Sequence, residues 1–244
     1  IKIVIGRVRM RRVEVVERHE VVIARDEQGH PVEGGIRQAL GELMSRVKNR
    51  PTLVFSALPA DDVLLRTVQV PRAGAKKADA VISMQIEDDL PIELDEAVVA
   101  HILRAQKGSD TMDALVAVAR QETVRQYLEL LEEHGLDPAE LGAGAAVYTD
   151  LARVMPKLMD DEPELVLDIG CDRTDMLIIE GGEAVSMRTL LIGGADMTRA
   201  LVAHYRTTFE RAEEYKIQAG WQNLAPVLEP VLARLVQPIR QTLS

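Results

Sequence analysis

Residues 165–174 read Leu165-Val166-Leu167-Asp168-Ile169-Gly170-Cys171-Asp172-Arg173-Thr174. An apolar run carries Asp168 to a turn at Gly170, and Thr174 opens a second apolar run, Met176 to Ile179. The pattern predicts a strand, a tight turn and a returning strand. Such a loop can bring backbone N–H groups and one hydroxyl close to a phosphate, because glycine permits close approach, while the carboxylate can hold a metal-bound water. Asp-x-Gly alone equally fits an ordinary hairpin.

The residues that follow favour the phosphate-loop reading. Gly181-Gly182 closes a second turn, Ala184–Leu191 reads as another strand, and Gly193-Gly194 leads into a helix over Ala195–Phe209, followed by Ala212-Glu213-Glu214-Tyr215-Lys216. This ordered series resembles the second half of the actin-like ATPase superfamily, most closely the branch holding the pilus-assembly protein PilM, the type II secretion protein GspL and the division protein FtsA. Ser56-Ala57-Leu58-Pro59, Val68-Gln69-Val70-Pro71, Gln85 to Glu96 and Leu115 to Arg120 are similar, in order, to the first half of PilM and GspL-type proteins. Each piece is common by itself; the series and its spacing carry the likeness.

The resemblance implies an α/β, actin-like fold in which a ribonuclease-H-like unit is duplicated, with an inserted α+β subdomain of the FtsA/PilM type. Residues 1–163 would form the first half, with the insert over about 62–136, and 164–244 an incomplete second half. Relatives open with a first Asp-x-Gly loop, whereas this chain starts at Ile1-Lys2-Ile3-Val4, similar to the tail of the strand after that loop. It closes at Ile239-Arg240-Gln241-Thr242-Leu243-Ser244, ahead of the family's Gly-rich adenosine loop. A fragment lacking both ends of the family pattern is expected.

By the same resemblance Asp168 would face a metal-bound water, Gly170 and Thr174 the phosphates, Gly193 and Gly194 the nucleotide cleft, and Glu213 with Lys216 the ribose and base. The implied cofactor is ATP with Mg, either bound with weak turnover at most or absent altogether. Asp172 would repel a polyphosphate unless a cation offset it. The implied function is a cytoplasmic scaffold at the bacterial inner membrane, linking membrane components to a motor ATPase in type II secretion or type IV pilus assembly. Its partners would be PilN-like or GspE/GspF/GspM-like proteins, with a homodimer also open. The alternative is an active FtsA-type ATPase or filament former.

Composition narrows the remaining classes. The net charge of −10 disfavours nucleic acid and anionic membrane surfaces alike, through the same long-range repulsion. Aromatic residues make up only 3%, so base-stacking and carbohydrate platforms are not expected and the core must be aliphatic. A single cysteine, Cys171, excludes an intrachain disulfide and suits a reducing compartment. No apolar run is long enough to cross a bilayer. The five histidines share no zinc-ligand spacing, the carboxylates around Pro91 lack a calcium-loop pattern, and neither a Walker P-loop nor a nucleophile elbow is present. Arg7, Arg9, Arg11 and Arg12 alternate with Val8, Met10 and Val13, which fits a solvated strand face or a docking surface for an acidic segment.

Periodicity predicts strands at Ile1–Ile5 and Val13–Ile23 around a turn near Gly6, and a helix over Ile36–Val47. Strands at Thr52–Ala57 and Leu64–Val70 precede a helix over Ala75–Leu90. Strands at Ala97–Ala105 and Ala114–Ala119 flank a turn at Lys107-Gly108-Ser109-Asp110, and a helix over Gln121–His134 ends at Gly135. Leu136–Gly142 reads as an extended link, Ala143–Val154 as a helix, and Asp160-Asp161-Glu162-Pro163 as a boundary.

Overall fold

The structure, a computed structural model, describes residues 1–10, 12–105, 109–150, 155 and 162–242. The Lys107-Gly108 turn, the Asp160-Asp161 part of the boundary and residues 151–154 of the expected helix lie outside the described residues.

The chain opens with an antiparallel hairpin, β1 (Lys2–Arg9) and β2 (Arg12–Glu20), Arg9 pairing with Arg12. The expected turn near Gly6 is instead a register shift between Ile5 and Gly6, and the hairpin reverses at Met10. Glycine there lets the strand bend and continue, so the ribbon runs farther than the sequence suggested. The inward residues of its base, Ile1 and Ile3, pack with Val21 against Ala39 and Leu43 of helix α1 (Gly35–Arg46).

Strand β3 (Val54–Leu58) pairs in parallel with β7 (Pro138–Ala143). The sequence had read the β7 residues as a link, because Pro138, Gly142 and small side chains give no alternation. Ala143–Val154 is likewise not one helix: strand β7 ends at Ala143 and a 3-10 segment occupies Gly144–Asp150. Between β3 and β7 lie β4 (Leu64–Pro71), α2 (Ala78–Ile86), β5 (Ala97–Ala105), β6 (Thr111–Arg120) and α3 (Gln121–Glu132). The three strands form an antiparallel sheet of order β4-β6-β5, and Ile82 and Ile86 of α2 cover it against Val70, Val116 and Val118. The expected helix Ala75–Leu90 is α2 flanked by 3-10 turns at Arg72–Lys77 and Glu87–Asp89. Helix α3 reaches back toward β3: Leu131 clusters with Leu40 and Val54, and the Tyr127 hydroxyl lies 2.9 Å from Ser56 Oγ.

The remaining residues form an antiparallel sheet of order β10-β9-β8, from β8 (Glu164–Ile169), β9 (Thr174–Glu180) and β10 (Glu183–Leu190). Three helices follow: α4 (Gly194–Tyr205), α5 (Phe209–Gln218) and α6 (Trp221–Thr242). The helix expected to run to Phe209 stops at Tyr205, where Arg206 turns left-handed at φ +52°; Thr208 then caps α5, its hydroxyl accepting from Arg211 N. Leu201, Ala212, Leu224 and Leu228 join the helices, while Val231 and Leu235 hold α6 to Leu190 and Ile192. Pro226 and Pro230 fall on the exposed side of α6, so its buried stripe is uninterrupted.

Two positions on α2 separate burial from helix propensity. Ile82 is fully buried, whereas Met84 is 71% exposed. Ile82→Ala is expected to lower the unfolding free energy by about 2–5 kcal/mol, and Met84→Ala by less than about 0.5 kcal/mol. Urea denaturation of the two variants checks this; equal midpoint shifts would contradict the packing described.

Candidate nucleotide loop

Pairing of Ile169 with Thr174 brings β8 and β9 to the loop Gly170-Cys171-Asp172-Arg173, closed by Gly170 N donating to Arg173 O at 2.8 Å. This loop lies against the start of α4. Gly194 N donates to Gly170 O at 2.9 Å, and Ala195 N to Cys171 O at 2.7 Å. Two of the helix's orphan amides are thus satisfied by the loop. A Cβ at Gly193 would stand 2.5 Å from Cys171 O and 2.7 Å from Gly170 O. The close approach that glycine permits here is therefore between the two backbone turns themselves. Gly193 N is bound in turn by Asp196 Oδ2 at 2.9 Å.

Asp168 is exposed at the end of β8, and its Oδ2 accepts a short hydrogen bond from the Tyr148 hydroxyl. Burial, and then the Asp168 carboxylate, push the Tyr148 hydroxyl well above its ordinary pKa, so it remains a donor. Asp168 Oδ1 has no partner among the described residues. Thr174 does not face a cleft: it is fully buried and its hydroxyl donates to Ile192 O at 2.8 Å. The expected phosphate contact by that hydroxyl gives way to a clamp beneath the loop. The backbone N–H groups of Cys171, Asp172 and Arg173 make no hydrogen bond with a described residue, so the loop retains main-chain donors.

Glu213 and Lys216 do come together. Lys216 Nζ lies 2.7 Å from Glu213 Oε2, 2.8 Å from Thr198 Oγ1 and 3.0 Å from Gly194 O. Thr198, fully buried, also contacts Glu213 Oε2. The pair pins α5 to the first turn of α4, next to the Gly194 carbonyl.

The concern over Asp172 is met inside the chain. Arg25 grips it with Nη1–Oδ1 and Nη2–Oδ2 distances of 2.9 and 2.6 Å, holding the carboxyl below its ordinary pKa. Arg173 pairs with Asp61. The Cys171 thiol is pushed up, first by desolvation, and so stays protonated at neutral pH. Tyr148, Thr198 and Arg25 were not foreseen as site residues. Each lies far along the chain from its partner or, for Thr198, inside a helix, and a single sequence carries no signal for such pairing.

The clasped Asp-x-Gly loop on the antiparallel β8–β10 sheet, with the parallel β3–β7 pair and the β4-β6-β5 sheet lying between its strands in the chain, belongs to an actin-like ATPase fold. The solved structure of MreB 5 of Spiroplasma citri bound to AMPPNP shares it at TM-score 0.51 and 12% identity, over 95% of this chain and 62% of that one. The family model described as type IV pilus assembly protein PilM matches residues 5–244, and the chain belongs to that family. The chain is similar to one in a PilM-PilN type IV pilus biogenesis complex: TM-score 0.82, 25% identity, 99% of this chain and 72% of that one. Cell division protein FtsA of Staphylococcus epidermidis is 30% identical over 112 residues, 45% of this chain. The match spans only 23% of that FtsA's length.

The clasp makes Gly193 intolerant where another glycine is not. Gly193→Ala must displace backbone and is expected to cost about 1–3 kcal/mol. At Gly220 an added Cβ meets nothing within 4 Å, so Gly220→Ala is expected to be neutral or slightly stabilising. Unfolding midpoints decide; equal stability of the two variants would rule out the close approach.

Proposed function

We propose that this chain is the actin-like scaffold domain of an inner-membrane assembly platform, of the type IV pilus or the related type II secretion kind, working by holding partner segments together. The observation that carries the proposal is the likeness, over 99% of the chain, to a member of a PilM-PilN complex. The partner is then a PilN-like segment, an extended peptide adding backbone hydrogen bonds to a strand edge or groove. The working place is the cytoplasmic face of the inner membrane, within reach of the other components of the same machine. Residues 1–163 act as one actin-like half carrying the insert over about 62–136, and 164–244 belong to the other.

The loop retains a donor set suited to a Mg-nucleotide. Asp168 Oδ1 is the atom available to a metal-bound water, and the N–H groups of Cys171, Asp172 and Arg173 are those available to phosphate. Bound magnesium would supply charge compensation for the phosphates. Glu213 and Lys216 contribute by fixing the α4–α5 corner, since their charged groups already satisfy one another.

Co-expression of the full-length protein with the PilN-type protein of its own organism tests the reading, with FtsA-like ATPase action as the competitor. Co-elution is expected, with ATP turnover well below about 1 per second. Asp168→Ala is expected to lower Mg-ATP affinity in calorimetry far more than it lowers folding stability, the lost Tyr148 hydrogen bond lowering the melting temperature only slightly. Separate elution with turnover at enzyme rates would favour the ATPase, and equal affinities would remove Asp168 from the site.

A further inference from the structure

We propose that the tip of the β1–β2 hairpin is an anchor that inserts into an anionic phospholipid surface. The inference goes beyond the pilus reading and does not depend on it. Ile5 is the last buried residue of β1, and Met10 lies five residues further on. At about 3.4 Å per residue that is roughly 17 Å of ribbon.

Both faces of the ribbon are bare over this length. One carries Val8 opposite Val13, with Val15 opposite Gly6, exposed by 74, 72 and 62% respectively. Met10 at the apex is 99% exposed. The other face carries Arg7, Arg9 and Arg12, none of which makes an ion pair with a described residue. Arg9 stands directly across from Arg12, a like-charge pair that costs stability unless an anion lies against it. The turn residue is also telling. Met10 holds φ +46°, a conformation for which tight hairpins favour Asn or Gly, so an unbranched apolar side chain occupies the tip against the backbone's preference.

Charge is segregated in the same sense. Residues 7–12 contain four arginines and no acidic residue, in a chain with 29 Lys and Arg against 39 Asp and Glu. Of the nearby carboxylates, Glu14 registers opposite Arg7, and Glu17 is bound by His19, Lys48 N and Asn49 at the hairpin's base. The body's net negative charge repels an anionic surface, but that field is screened within about 8 Å at physiological salt. The ribbon is long enough to present its tip beyond that range. Apolar residues at the apex with arginines beside them match an interfacial anchor, the apolar groups entering the acyl boundary and the guanidinium groups meeting phosphate headgroups. A lipid surface needs no concave complement, and this protruding convex tip offers none.

Flotation of the full-length protein with phosphatidylglycerol-rich vesicles, and with pure phosphatidylcholine vesicles as control, tests the proposal. The wild type is expected to float with the anionic vesicles only, and less in high salt. Met10→Asp is expected to reduce binding at least about tenfold, and each of Arg9→Gln and Arg12→Gln about fivefold. Ile217→Asp, at an apolar residue 74% exposed elsewhere on the surface, is expected to float as wild type. All four side chains are exposed, so melting temperatures should match and report intact folding. No flotation of the wild type, flotation of the tip variants at wild-type levels, or recruitment only through an added partner protein would each overturn the anchor.

Discussion

Two backbone hydrogen bonds, Gly194 N to Gly170 O and Ala195 N to Cys171 O, join the Asp-x-Gly loop to helix α4. They form only because residue 193 has no side chain. From this contact the three helices that follow take their place. Thr174 clamps the strand below to Ile192, Lys216 and Glu213 bind Thr198 and the Gly194 carbonyl, and α5 and α6 pack against α4 through Leu201, Ala212 and Leu228. The clasp also alters what the loop can do. The helix amides that would otherwise attract an anion are already used, and ligand contact is left to the loop's own amides and to Asp168.

Ties across the chain converge on the same loop. Arg25, from the segment after β2, neutralises Asp172; Asp61, after β3, pairs with Arg173; and Tyr148, after β7, donates to Asp168. A loop whose exposed charges are already matched within the chain is suited to keeping the fold in one arrangement. The scaffold role proposed for this member of the PilM family accords with that. The core is divided among several aliphatic clusters, in keeping with a chain of few aromatic residues.

Where apolar periodicity is strong, the elements were legible in the sequence: α1, α3, β5 and the β8–β9–β10 series agree within a few residues. The order Asp-x-Gly, Gly-Gly and Ala-Glu-x-x-Lys was enough to recognise the actin-like fold. Strand β7 was missed because its pairing with β3 is supplied by the tertiary fold and not by its own small residues. The hairpin turn was misplaced because Gly6 is a stronger turn signal than Met10, yet glycine served a bulge there. For the site, the resemblance singled out Glu213 and Lys216 together, and in the structure they pair with each other. Sequence could not show that Thr174 points inward, nor that Tyr148 meets Asp168 from 20 residues away.

Native-state hydrogen exchange at the Gly194 and Ala195 amides tests most directly whether the clasp is built into the fold. Both are expected to be strongly protected without nucleotide, with protection changing little when Mg-ATP is added. Exchange near the unprotected rate in the free protein, with protection arising only on addition of Mg-ATP, would contradict a built-in clasp and make the loop a ligand-ordered site.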